Sequence, residues 1–347
     1  MQQRLNRIWY QQAAGAALLA PLSALYGRVV ASRRRNYEQG RREVIRVSAP
    51  VVVVGNLSVG GTGKTPLVAW LAQQLRARGI AAGIASRGHG GTGRGPQQVE
   101  LAGDWRRFGD EPVLLRRRTG CPVVVAPDRV AAARSLIEAG ARLVLCDDGL
   151  QHLRLGRDRE IVVIDAARGL GNGRLLPAGP LREGAERLRF ASAIVVNGEP
   201  DAALRQLIAG HGGPVPLVMR LEPAPVEAVA SLAGGPDAAP GLAGLTLAQL
   251  EGRRVHAVAG IGNPQRFFSM LAAHGIDVVP HAFADHHPFT ADELRFGDGL
   301  PLLMTEKDAV RCAAFATPRM GFVPVAARFS AADASGLLAC VEGVSAR

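Results

Sequence analysis

Lysine is nearly missing from this 347-residue chain: of 41 basic residues, only Lys64 and Lys307 are not arginine. An ammonium is a compact, flexible donor and a guanidinium a planar fork, so in a chain that uses arginine by default the two lysines mark places where a point-like donor is needed. Aromatics make up only 5%, and no basic stretch is interleaved with Phe or Tyr, which argues against nucleic acid as a partner because base recognition relies on stacking. The four cysteines (Cys121, Cys146, Cys312, Cys340) are scattered, with no C-x-x-C pair and no His at ligand spacing beside them. That argues against a zinc site or a disulfide framework and for a reducing compartment. No apolar run reaches the ~20 residues that a spanning helix requires. No internal repeat is present either, so a solenoid is not expected.

What is present begins with charge. A formal +11 favours polyanionic partners, and with nucleic acid disfavoured these become anionic headgroups or phosphorylated substrates. The length favours two lobes over a single core. Residues 1–46 stand apart: an apolar run over residues 13–25, carrying Pro21, lies between Arg4 and Arg7 on one side and Arg28, Arg33, Arg34, Arg35, Arg41 and Arg42 on the other. This reads as an amphipathic element lying on a membrane, with Trp9, Tyr10 and Tyr26 at headgroup level and each Arg near the surface adding ~1 kcal/mol of attraction. The arginine excess beside the run points to the cytoplasmic side. An ordinary core helix is the plain alternative; a signal peptide is disfavoured by the lack of an A-x-A-like cleavage site.

From residue 50 the pattern alternates between strand and helix. Residues 51–54, four consecutive valines, form the β-branched run of a strand buried on both faces of a parallel sheet. A helix is expected over 67–78, closed by Gly79, and further strands over 80–85, 123–126, 142–146, 161–164 and 193–196, with a helix over 129–139. Such alternation predicts a doubly wound, mainly parallel α/β lobe, of P-loop NTPase type given the glycine-rich segment 58–65 that follows the first strand. The Gly/Pro-rich stretch 210–216 marks a boundary, which gives a nucleotide-binding domain over 47–213 and a smaller α/β lobe over 214–347. In that lobe strands are expected at 255–259 and 300–305, helices at 265–274 and in the tail, and a flexible loop at 234–244.

The sharpest motif is Ser58-Val59-Gly60-Gly61-Thr62-Gly63-Lys64-Thr65, set between the valine strand and the following helix. Its glycines let backbone N–H groups converge on phosphate oxygens, Lys64 reaches the outer phosphates and Thr65 is placed to bind Mg²⁺; a nucleoside triphosphate is implied. Ser58 occupies the position where the common pattern has its first glycine. A P-loop needs acidic residues at a neighbouring strand end, and Asp147-Asp148 follow the apolar run 143–146, with Asp165 a weaker rival. A helix cap is the bland reading of such a pair. Ser86-Arg87-Gly88 puts an Arg where phosphates would lie, Gly109-Asp110-Glu111-Pro112 sets two carboxylates on a turn, and Asp285-His286-His287 pairs an acid with histidines.

Together, Gly55-Asn56-Leu57 with the P-loop and Pro66, Ser86-Arg87-Gly88, Gly109 to Pro112, Asp147-Asp148-Gly149-Leu150-Gln151-His152, residues 176–183, Asp285-His286 and Thr305-Glu306-Lys307-Asp308 resemble the tetraacyldisaccharide 4'-kinases in order and spacing over almost the whole chain. His89 stands where the family often has Tyr, and Leu150 where it often has Phe. The resemblance implies transfer of the γ-phosphate of ATP to the 4'-hydroxyl of an acylated glucosamine disaccharide 1-phosphate in lipid A biosynthesis, at the cytoplasmic face of a bacterial inner membrane. It further implies that Asp110, assisted by His286 from the other lobe, deprotonates the attacking hydroxyl, with Asp148 the alternative base. Asp147 and Asp148 would then serve Mg²⁺ and nucleotide, Arg182 and Glu183 shape the nucleotide centre, and Arg87, Glu111, His152 and Lys307 meet the sugar substrate. No obligate protein partner is expected. Two other readings remain at this point: a membrane-associated P-loop switch, against which the lack of an N-K-x-D motif weighs (Asn197-Gly198-Glu199-Pro200 is only an echo), and an ATP-dependent ligase.

Overall fold

The computed structural model describes residues 8–10, 15–93, 95–233 and 242–344. Arg4, Arg7, the start of the 13–25 run and most of the 234–244 stretch lie outside the described residues. Strands are β1 (Val51–Gly55), β2 (Ala82–Ser86), β3 (Gln97–Gln98), β4 (Val123–Val125), β5 (Leu143–Asp147), β6 (Arg159–Asp165), β7 (Ala193–Asn197), β8 (Leu217–Pro223), β9 (Glu227–Ala228), β10 (Arg254–Ala259), β11 (Asp277–Ala282), β12 (Leu302–Thr305), β13 (Met320–Val323) and β14 (Val325–Phe329). The chain forms two compact units: Met1–Arg87, Cys121–Leu221 and Ala327–Arg347 make the first, Gly88–Gly120 and Glu222–Ala326 the second.

In the first unit β8, β7, β6, β1, β5, β2 and β4 lie side by side in that order, every pair parallel. The valines of β1 are buried at every position because both faces of the strand are covered, as a continuous apolar run requires. The helix Lys64–Ala77 buries Leu67, Val68, Leu71, Ala72 and Leu75, one stripe at helical spacing. It begins at the P-loop lysine itself, earlier than the apolar pattern alone marks. The helix Arg129–Glu138 is capped by Asp128, whose side chain accepts from Val130 N. Because β1 is flanked by β5 and β6, Val54 pairs with Asp147 and the acidic pair emerges beside the P-loop strand at its carboxyl end.

The N-terminal helix Ala20–Glu38 belongs to this unit and departs from expectation on one side. Leu18, Leu22, Leu25 and Val29 are exposed, but the aromatics face the protein rather than headgroups. Trp9 Nε1 donates to Pro177 O (2.9 Å), Tyr26 Oη to Arg182 O (3.1 Å), and the Tyr10 ring lies 5.6 Å from the Arg168 guanidinium. Their polar atoms satisfy backbone or pair with a cation, which a ring at a lipid interface would not need to do. Among the described residues, no helix is long and apolar enough to cross a membrane.

The second unit holds a five-stranded sheet ordered β11-β10-β12-β13-β9, parallel except for β9. Phe267, Phe268 and Leu271 of the helix Pro264–Ala273 pack with Val255, Ala257 and Leu303 to form its core. Two assignments differ from the contiguous boundaries read from sequence. The segment 88–120, with the helix Asp110–Thr119, belongs to the second unit, and the tail helix Ala331–Glu342 belongs to the first. Both depend on contacts far away in sequence. Asp165, the rival metal acid, instead accepts from Ala167 N and Arg168 N at 3.1 and 3.2 Å, so it caps a turn.

Candidate active site

The P-loop is shaped from inside by Asn56, a fully buried side chain. Its Nδ2 donates to Ser58 O (2.6 Å) and Gly60 O (3.3 Å), and its Oδ1 accepts from Lys64 Nζ (3.1 Å), so one amide sets the loop's curl and aims its lysine. Gly60 and Gly63 have φ of 101° and 100°, conformations that favour glycine, and a Cβ on Gly63 would stand 3.0 Å from Met219 Cε. From outside, Val59 N donates to Pro180 O (2.9 Å) and Arg182 N to Leu57 O (2.6 Å), which seats the 176–183 segment on the loop. Asn197 Nδ2 donates to Thr62 O (3.3 Å), so the residue that echoed a base-reading motif serves as a loop brace.

Asp148 sits at φ 50°, a strained conformation of the kind found where a side chain's aim matters. Its carboxylate is 3.6 Å from Lys64 Nζ and accepts from Arg182 Nη1 at 3.1 and 3.0 Å. Burial pushes its pKa up, but Lys64 and Arg182 outweigh that and hold it below the usual carboxylate range. Gln151 joins this group to the next: it donates to Glu183 Oε1 (2.8 Å), and Glu183 pairs with Arg187 (3.3 Å), which also pairs with Glu160. Thr65 and Asp147 are buried beside them at the helix start and the strand end. Among the described residues, no cage of three or more His, Cys, Asp or Glu gathers. One hydroxyl and two carboxylates, completed by phosphate oxygens and water, is a donor set that fits Mg²⁺.

Arg129 and His152 close the back of this region. The Arg129 guanidinium, 3% exposed, donates to Ala126 O (2.9 Å) and Asp147 O (3.3 Å). Burial lowers its pKa, yet an arginine stays charged, so a fixed cation lies behind the acidic pair. His152 Nε2 accepts from Arg129 N (3.2 Å), and burial together with Arg129 pushes its pKa down to about 4. It is therefore neutral near pH 7. Arg87 is exposed just past β2.

The second unit carries a separate constellation. Asp110 opens the helix Asp110–Thr119 and is 2% exposed. Its Oδ1 accepts from Glu111 N (2.8 Å), and its Oδ2 meets His286 Nδ1 (3.2 Å) and ion-pairs with Arg311. Burial raises the Asp110 pKa, but the His286 hydrogen bond and the charges of Arg311 and Lys307 hold the carboxyl well below its ordinary range. The hydrogen bond to Asp110 raises that of His286 despite burial. His286 also has a left-handed backbone, φ 60°. Lys307 ion-pairs with Glu111, so these two expected substrate contacts meet each other; burial lowers the Lys307 pKa, but Glu111 and Asp110 more than reverse it.

Of the residues named from sequence, the loop, the acidic pair and Arg182 with Glu183 lie in the first unit and His286 and Lys307 in the second; Asp110 and Glu111, expected in the nucleotide-binding domain with His286 coming from the other lobe, lie instead in the same unit as His286. Sequence reading missed Asn56 as the loop's internal brace, Gln151, Arg129 and Arg311. The only signal for Asn56 and Gln151 was membership of the quoted motifs, and the two arginines carried none in so arginine-rich a chain.

The chain is similar to known proteins over nearly its whole length. The family model for tetraacyldisaccharide-1-P 4'-kinase matches residues 15–342. The tetraacyldisaccharide 4'-kinase of Alkalilimnicola ehrlichii is 51% identical over 317 residues, 90% of this chain and 88% of that protein. That of Pseudomonas aeruginosa (strain LESB58) is 47% identical over 354 residues, 99% of each chain. The crystal structure of LpxK from Aquifex aeolicus in complex with ATP superposes with a TM-score of 0.76 at 26% identity, covering 95% of this chain and 99% of that one.

Proposed function

This chain belongs to the tetraacyldisaccharide 4'-kinase family, and from that premise we propose that it transfers the γ-phosphate of ATP to the 4'-hydroxyl of a tetraacyldisaccharide 1-phosphate, giving the bisphosphorylated lipid A precursor. The observation that carries the reading is the Lys64–Asp148–Arg182 group at the P-loop, which gathers two cations and a carboxylate where a triphosphate's outer oxygens would lie. Lys64 and the loop's N–H groups grip the phosphates, and Arg182 fixes Asp148. Thr65, Asp147 and Asp148 would hold Mg²⁺, which when bound supplies charge neutralisation between the outer phosphates.

A sugar hydroxyl is a poor nucleophile while protonated, so a proton acceptor is needed as the bond to phosphorus forms. We assign that role to the buried Asp110 and its partner His286, whose contact supports the reading, with Glu111, Lys307, Arg87 and His152 as the candidate contacts for the sugar and its 1-phosphate. The acylated substrate stays in the bilayer, and the enzyme would reach it from the cytoplasmic face of the inner membrane. Leu22, Leu25 and Val29, spaced along one face of the helix Ala20–Glu38, with exposed Leu18 just before it, support a peripheral docking element, with Arg28, Arg33 and Arg35 for anionic headgroups.

Mass spectrometry of the lipid product after incubation with ATP and Mg²⁺ tests this reading. The expected product carries one added phosphate and is absent with Lys64→Ala. Phosphate release without a modified lipid would indicate a hydrolytic switch instead.

A further inference from the structure

Behind the acidic pair, four charged side chains close into a ring. Arg187, in the short 3₁₀ helix Ala185–Phe190, ion-pairs with Glu160 of β6, and its Nε stands 3.3 Å from Glu183 Oε2. Glu160 Oε1 also accepts from Arg157 Nη1 (3.1 Å). Arg157 in turn donates to Leu150 O through Nη1 (3.0 Å) and to His152 O through Nη2 (2.5 Å). At the other end, Glu183 Oε1 accepts from Gln151 Nε2 (2.8 Å). The path therefore leaves the segment 147–152 at Gln151 and returns to it at Leu150 and His152. It lies wholly in the first unit, its two guanidinium groups balance its two carboxylates, and its side chains are at most 13% exposed.

We propose that Arg187 is a positioning residue: by closing this ring it sets the segment that carries Asp148 before ATP arrives. The proposal deepens the reading above, on which it rests, that Lys64, Asp148 and Arg182 meet the triphosphate. Asp148 has a left-handed backbone, φ 50°, which a residue other than glycine keeps only where its surroundings over-determine it. The P-loop strand supplies one restraint, from Gly149 N to Val54 O (3.3 Å), and the ring supplies three more on the residues that follow. Stability alone does not account for the ring, because taking four ions out of water is costly and apolar residues of the same volume would hold the fold as well. What charged hydrogen bonds add is direction. Arg187 reaches Glu160 and Glu183 from two separate nitrogens of one planar group, a geometry that a point-like ammonium does not reproduce.

The test uses the full chain and measures ATP rather than lipid. Arg187→Lys keeps the charge and loses the fork, so its urea midpoint should stay close to wild type while ATP binding, by isothermal titration, weakens at least about tenfold. KM for ATP should rise in step, with KM for the lipid unchanged. Glu160→Gln combined with Arg187→Gln removes one charge of each sign, preserves the buried balance and should show the same split. A residue that served the fold alone would lower the midpoint and leave the ATP affinity of the folded protein as it was. The wild-type protein without ATP supplies a measurement that needs no variant. Its Gly149 and His152 amides should exchange with deuterium at least about 100-fold more slowly than in an unstructured chain, and ATP should slow them little further.

Wild-type ATP affinity in either folded variant, or unprotected exchange at Gly149 and His152 until ATP is added, overturns the proposal. Wild-type protein that binds ATP and leaves the lipid unphosphorylated counts against the kinase reading instead, while affinity and exchange still decide the role of Arg187.

Discussion

Tyr26 donates its phenolic O–H to the backbone carbonyl of Arg182 at 3.1 Å, which ties the N-terminal helix to the residue that fixes Asp148. Asp148 in turn stands 3.6 Å from Lys64. Three contacts thus run from a helix with an exposed apolar face to the lysine of the P-loop, all within the first compact unit.

The middle of that chain is the most exposed to mutation. Arg182→Gln removes a charge-assisted contact to Asp148 and leaves Lys64 and Arg129 as the cations acting on it. A charged hydrogen bond contributes about 1.5–3 kcal/mol, so ATP affinity is expected to fall roughly 10- to 100-fold. Isothermal titration with ATP and Mg²⁺ measures this, and unchanged affinity contradicts the role given to Arg182.

Asn56→Ala deletes the internal brace of the loop and leaves the buried carbonyl of Ser58, and that of Gly60, without their side-chain donor. The expected cost is about 1–3 kcal/mol of stability, read as a lowered urea midpoint. ATP binding should weaken as well, because Lys64 loses the acceptor that aims it.

How far the sequence carried the interpretation depended on whether each signal was local. Ser58 to Thr65 and Asp147-Asp148 announce themselves because loop, strand end and motif lie within a few residues of one another. Asp110 and His286 are 176 positions apart, and only the family resemblance put them together. Arg129 and Arg311 were invisible because arginine is the default cation here. Strands β8, β11 and β13 were missed because their runs are short, half-exposed or broken by Pro280 and Gly321, and register rather than composition makes them strands. The tail helix has no local feature that tells which unit it will join.

Leu22→Glu with Leu25→Glu places two charges on the exposed helix face. Each leucine would bury roughly 1.5–3 kcal/mol of apolar surface in a bilayer. Co-sedimentation with anionic phospholipid vesicles is expected to drop at least about tenfold, while ATP binding in solution stays as in the wild type. Undiminished sedimentation contradicts the docking role of that face.

The pH dependence of stability has a defined sign at Asp110. Its folded pKa lies below the unfolded value, so its contribution is fully present above about pH 4 and is lost as pH falls through the folded value. The difference in unfolding free energy between wild type and Asp110→Asn is therefore expected to shrink as pH falls below about 4. A difference that grows as pH falls below about 4 is the opposite sign and contradicts the Arg311 and His286 contacts as the cause.

The most direct measurement is mass spectrometry of an acylated glucosamine disaccharide 1-phosphate after incubation with the purified protein, ATP and Mg²⁺. One added phosphate on the lipid, equimolar with ADP and absent with Lys64→Ala, is the predicted result. ADP formed with the lipid unchanged, or full conversion by the Lys64→Ala protein, contradicts phosphoryl transfer from this P-loop to the sugar.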